Sequence, residues 1–195
     1  MQKNRMEAFS DGVLAIILTI MVLELKVPHE VSVQALVHMV PVFLSYVLSF
    51  IYIAIYWNNH HHLLHTVKRI NGSILWANNH LLFWLSLVPF VTAWSGENKF
   101  AALPAALYGV VLFMAAVAYY ILTMTIIAKH GKDSVLARAT GKDYKGKVSV
   151  GLYAVSVPLA FWAPLVTLGI YAAVAVMWLI PDPRIERAIQ EDSLV

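Results

Sequence analysis

At 195 residues, 60% of them hydrophobic and only 13% charged, with a mean hydropathy of +0.70, the chain lacks the charge of a soluble domain, where about a quarter of residues are ionised. It reads as an all-α, polytopic membrane protein. A dispersed net charge of +3 argues against a nucleic-acid partner, and the absence of cysteine removes disulfides, thiolate metal sites and a cysteine nucleophile.

A membrane-crossing helix needs about 20 largely apolar residues. Six spans are predicted, at about 7–25, 33–57, 74–94, 101–128, 148–162 and 164–180, within one six-helix transmembrane domain over 1–195. The second helix is expected to run on to about His65. The last two spans share one apolar block cut only by Pro158 and Pro164. About 33 residues is too long for one crossing and fits two short ones joined by a tight turn. After the first run come Glu24 and Lys26 rather than a small-residue cleavage site, so a retained helix is expected, not a signal peptide. Residues 181–195 are polar, mixed in charge and expected to form a cytoplasmic tail.

Lys and Arg set the orientation. Of the 14, all but Lys26 and Lys99 fall at the N-terminus, in the second–third and fourth–fifth connections, or in the tail. That distribution predicts an even number of spans with both termini cytoplasmic, in the plasma membrane. Trp57, Trp76, Trp94 and Trp178 fall near span ends, as in an aromatic belt. The longest loop, Lys129–Lys147, is basic and reads as a topology signal beside anionic headgroups.

Around the first helix, at about 100° per residue, Gly12, Ile16, Thr19 and Leu23 share one narrow stripe, with Phe9 and Ile20 at its margins. Ser10 and Asp11 point away from it. Copies of this helix around an axis would form rings of branched aliphatics able to gate by dewetting, with a ring of threonine hydroxyls able to replace part of an ion's water shell. Periodicity leaves a second reading open, since an ordinary helix–helix seam uses the same small and hydroxyl residues.

The run Arg5-x-x-x-Phe9-Ser10-Asp11, then Gly12-Val13-x-Ala15-Ile16-x-x-Thr19-Ile20-x-x-Leu23-Glu24-Leu25, resembles the signature of the transmembrane protein 175 family. These are the endosomal and lysosomal potassium channels and their shorter bacterial and archaeal relatives. The likeness continues at Trp57, Asn59, His60 and His61, and at Trp76, Asn78, Pro89 and Phe90, over about the first half of the chain. The resemblance implies six membrane helices per repeat and, for a chain with one repeat, a homotetramer whose first helix lines the pore. It implies a hydrophobic constriction at Ile16, narrowed further by Ile20 and Leu23, and a role for Thr19 with Ile16 in potassium preference. It also implies a buried hydrogen-bond network joining Arg5, Ser10 and Asp11 to Trp57, His61 and Asn78, which holds the pore helix at its angle. On that reading Asp11→Ala is expected to abolish assembly rather than alter selectivity.

The cluster at His60, His61, His62 and His65 reads most simply as an interfacial histidine patch; imidazoles could also sense protons there. His61 and His65 have zinc-ligand spacing, but no carboxylate or Cys stands nearby in sequence, so no metal site is expected. His80 is expected to be packed and hydrogen-bonded. Glu24 fits either an acidic ring at the pore mouth or a solvated helix end. Spaced arginines, a Thr-Val-Gly-Tyr-Gly filter and the common phosphate-loop and hydrolase motifs are all absent from the sequence. The expectation is therefore a potassium-preferring cation channel, not voltage-gated and not an enzyme. It would need no cofactor, with potassium and other monovalent cations as permeant ions and lipid as its surroundings. The alternative is a proton or cation secondary transporter using Asp11 and the histidines, which would put a carboxylate near mid-membrane.

Overall fold

The computed structural model describes residues 3–67, 69–131, 134–140 and 143–179, so the expected tail 181–195 lies outside the described residues. Their regular structure is helical: α1 (Lys3–Leu23), α2 (Val33–His65), α3 (Gly72–Ser86), α4 (Val88–Glu97), α5 (Ala102–His130), α6 (Val135–Thr140), α7 (Tyr144–Leu159) and α8 (Pro164–Leu179). Side-chain caps open α2, α3 and α7. The Ala35 N–H donates to Ser32 Oγ at 3.1 Å, Ile74 N–H to Asn71 Oδ1 at 3.0 Å, and Gly146 N–H to Asp143 Oδ1 at 2.9 Å.

Four stretches are long and apolar enough to cross a membrane: α1, α2, the α3–α4 pair and α5. The 33 residues of α2 extend about 50 Å, well beyond a hydrocarbon core of about 30 Å. The third stretch differs from the expected single helix over 74–94. It runs from Gly72 to Glu97 and is interrupted at Leu87. Pro89 has no N–H for the Leu85 carbonyl, and its ring crowds that turn. The Leu87 N–H closes α3 on the Trp84 carbonyl at 3.2 Å, and α4 starts afresh. The last apolar block divides at residues 160–163, with Pro164 opening α8. At 16 residues each, α7 and α8 are about 24 Å long, shorter than those four stretches.

The interior is made of aliphatic side chains and tyrosines. Tyr108 stacks on Tyr171 at 5.6 Å, the Tyr52 hydroxyl donates to the Tyr171 carbonyl at 2.6 Å, and the Tyr171 hydroxyl donates to the Ala105 carbonyl at 3.1 Å. These contacts seat α8 between α2 and α5. Nearer the opposite end, Ser45 donates to the Thr92 carbonyl at 2.6 Å, while Ser49 bonds both Thr92 Oγ1 at 2.6 Å and Tyr108 Oη at 2.7 Å. The close approach of α4 to α2 requires glycine. A Cβ at Gly96 would lie 2.7 Å from Val42 Cα, which is backbone and cannot yield. At the same end Lys26 and Glu97 pair at 2.6 Å, tying the α1–α2 loop to the end of α4. The hydrogen bond and charge of Glu97 hold the Lys26 ammonium above its ordinary pKa.

Candidate functional site

Helix α1 has two distinct faces. Met6, Ser10, Leu14, Ile17 and Met21 recur every three or four residues and are buried against the bundle. Phe9, Gly12, Ile16, Thr19, Ile20 and Leu23 are exposed; Ile16 is 60% and Leu23 73% accessible. The stripe singled out in the sequence is thus the face this subunit leaves uncovered. The Thr19 hydroxyl donates to the Ala15 carbonyl at 2.8 Å, so its proton is directed into its own helix and its oxygen lone pairs remain available outward.

Two polar connections anchor the buried face. In the first, the Asn78 amide nitrogen donates to Ser10 Oγ at 3.0 Å, and the Ser10 hydroxyl donates to the Met6 carbonyl at 2.8 Å. The amide oxygen of Asn78 faces His60 Nε2 at 2.7 Å; an amide oxygen only accepts, so the proton belongs on Nε2. Ser10 and Asn78 are fully buried and His60 is nearly so. The chain Met6–Ser10–Asn78–His60 therefore joins α1, α3 and α2. In the second connection, the Trp57 indole donates to Asp11 Oδ1 at 3.0 Å at an exposed position.

The expected network is only partly assembled in this form. His61 does not reach Asn78. It stacks on Trp57, with ring centroids 6.1 Å apart, and the buried histidine is its neighbour His60. The resemblance pointed to His61, four residues after Trp57. The inward spacing of α2 pointed elsewhere, since His60 follows buried Ile53 by seven positions and precedes buried Leu64 by four. Arg5 is exposed, and no ion pair involves it among the described residues. Asp11 lies eight residues after the first residue of α1, about 12 Å along its axis. Beside it, a polar cleft of about 330 Å³ is lined by Lys3, Glu7, Asp11, His60, His61 and His65. His61 and His65 stand edge to face at 5.1 Å, and no group of three or more potential ligands able to hold a metal occurs among the described residues. His80 accepts from the Trp84 indole at 3.0 Å. Glu24 is exposed.

Residues 5–89 match the family described as endosomal/lysosomal potassium channel TMEM175. The chain is also 54% identical to a potassium channel of Chryseobacterium sp. (strain P1-3), over 98% of this chain and 100% of that one. The chain belongs to the TMEM175 family. A second relative, a potassium channel of Streptomyces collinus, is 31% identical over 96% of this chain and 98% of its own length. The fold matches the crystal structure of a lysosomal potassium-selective channel TMEM175 homolog from Chamaesiphon minutus with a TM-score of 0.80. The two are 30% identical, and the match covers 91% of this chain and 96% of that one. As a TMEM175-family member this is a multi-pass membrane protein of the ion-channel class and not an enzyme.

Proposed function

We propose that this protein is a potassium-preferring cation channel of the plasma membrane, a homotetramer of one six-helix domain per chain with both termini cytoplasmic and no voltage sensor. Helix α1 lines the central pore. Ile16 forms the main constriction, Ile20 and Leu23 narrow the path beyond it, and Thr19 presents hydroxyl oxygens to the ion. Here α7 and α8 act as the fifth and sixth spans, short enough to need a thinned bilayer or partner contacts. The observation that carries the reading is the exposed stripe of α1, in which branched aliphatics and one threonine share a face left uncovered among the described residues. Supporting it are the relatives, all named as potassium channels. The preference for potassium should be modest, because aliphatic and hydroxyl rings hold an ion less closely than a carbonyl cage. The test is flux from reconstituted vesicles under potassium, sodium and proton gradients in turn. Rapid, non-saturating potassium flux exceeding sodium flux is expected; slow, saturable flux would replace this reading with a transporter.

A further inference from the structure

Toward the basic end of the bundle, α2, α5 and α7 separate around a half-open cavity of about 400 Å³. Buried Ile55, Leu63, Leu136 and Tyr153 line it, and Ala116 and Val150 line it where they are only partly covered. Tyr120, 48% exposed, and exposed Lys147 stand at its rim. An apolar hollow of this size forfeits packing contacts along its walls, and water gains too few polar partners there to offset that loss. Beside a bilayer, hydrocarbon is the material that matches such walls.

Three polar features narrow the choice. The Tyr56 hydroxyl on the half-buried wall is accessible and makes no hydrogen bond among the described residues. By contrast, the Tyr119 hydroxyl donates to the Asn59 carbonyl at 3.1 Å, and the Trp178 indole donates to Ser149 Oγ at 2.9 Å. Asp143, the one carboxylate on the lining, is engaged in capping α7. One turn along, Lys147 makes no ion pair among the described residues, in a stretch that also carries Arg138 and Lys145. Basic groups at the mouth of an apolar, interhelical hollow suit an anionic lipid headgroup.

We propose that this cavity binds an anionic phospholipid, with one acyl chain among the α2, α5 and α7 side chains, an ester or phosphate oxygen at the Tyr56 hydroxyl and the headgroup at Lys147. The site is separate from the conducting face of α1 and does not depend on the channel reading.

The test uses the full chain, stripped of lipid in detergent, with phosphatidylglycerol, phosphatidylcholine of the same chains, and glycerol 3-phosphate as probes. Binding is read by native mass spectrometry and by melting temperature. Phosphatidylglycerol should bind and raise the melting temperature. Phosphatidylcholine should bind about five- to tenfold more weakly, and Lys147→Gln should weaken phosphatidylglycerol by a similar factor, with Lys147→Arg restoring it. Ala116→Phe, which fills the cavity, should lose the bound lipid. Chain placement is also read without a filling variant: phosphatidylglycerol brominated along its chains should quench fluorescence in the native protein, and part of that quenching should vanish in Trp178→Phe. Equal binding of the two phospholipids, the same stabilisation from glycerol 3-phosphate alone, or unchanged quenching in Trp178→Phe would overturn the proposal.

Discussion

Asn78 and Ser10 are 68 positions apart, yet they meet at 3.0 Å in a fully buried seam between α1 and α3. The same amide takes the His60 ring on its other edge at 2.7 Å. One side chain therefore ties the inner face of α1 to two neighbours, where an unmatched polar group has no water to turn to. The Asp11–Trp57 bond beside it is exposed and has no such leverage within the subunit.

Asn78→Leu should accordingly destabilise the subunit by about 2–5 kcal/mol, because Ser10 and His60 both lose a buried partner. Asp11→Ala should leave the subunit folded. Its effect belongs to assembly, read by light scattering during size-exclusion chromatography, while thermal melting in detergent reports the Asn78 loss. Equal melting temperatures for the two variants would contradict this ordering.

His60→Phe and His61→Phe separate two neighbours of which the resemblance placed His61 beside Asn78, whereas His60 makes that contact. The first leaves the Asn78 amide oxygen unmatched in the interior and should cost about 1–3 kcal/mol. The second exchanges one ring for another against Trp57 and should cost well under 1 kcal/mol. Unfolding midpoints of the two single variants provide the check.

Ile16→Asn puts an amide at the exposed midpoint of the α1 stripe without touching the core. If Ile16 closes the pore by excluding water, this change should raise basal conductance and reduce the preference for potassium over sodium. Bilayer currents with reversal potentials read both. Unchanged currents and ion preference would remove Ile16 from the conduction path.

Thr19→Val is nearly isosteric and removes only the hydroxyl, whose proton serves the Ala15 carbonyl and whose oxygen is free to face an ion. Melting temperature should hardly move, since an exposed hydroxyl bond within a helix contributes little. If Thr19 faces the conduction path, potassium preference should fall. A reversal potential identical to that of the unaltered channel would deny Thr19 a role in selectivity.

Gly109→Val tests the tyrosine core. A Cβ at Gly109 would collide with the Tyr171 hydroxyl, which is held in place by its bond to the Ala105 carbonyl and by stacking on Tyr108. Overpacking of this kind typically costs about 1–3 kcal/mol, more when the displaced group also loses a hydrogen bond. Thermal melting should fall accordingly, and Tyr171→Phe in the same background should recover part of the loss.

Composition and periodicity were enough to make this an all-helical membrane protein, because burial in hydrocarbon demands long apolar helices and little else supplies them. They also separated the two faces of α1, since a period of 3.6 residues is written directly into the order of Ser10, Ile17 and Met21 against Ile16, Thr19 and Leu23. Contacts between distant segments are not written that way. Both His60 and His61 follow Trp57, and only the rotation of α2 against α3 chose which ring meets Asn78. The break at Leu87 had a visible cause in Pro89, but Pro41 lies inside α2 without ending it; packing of the neighbouring helices decides whether a proline interrupts. The cavity walled by α2, α5 and α7 left no trace in the sequence either, because a hollow is a property of how three surfaces fail to meet, and no single segment encodes it.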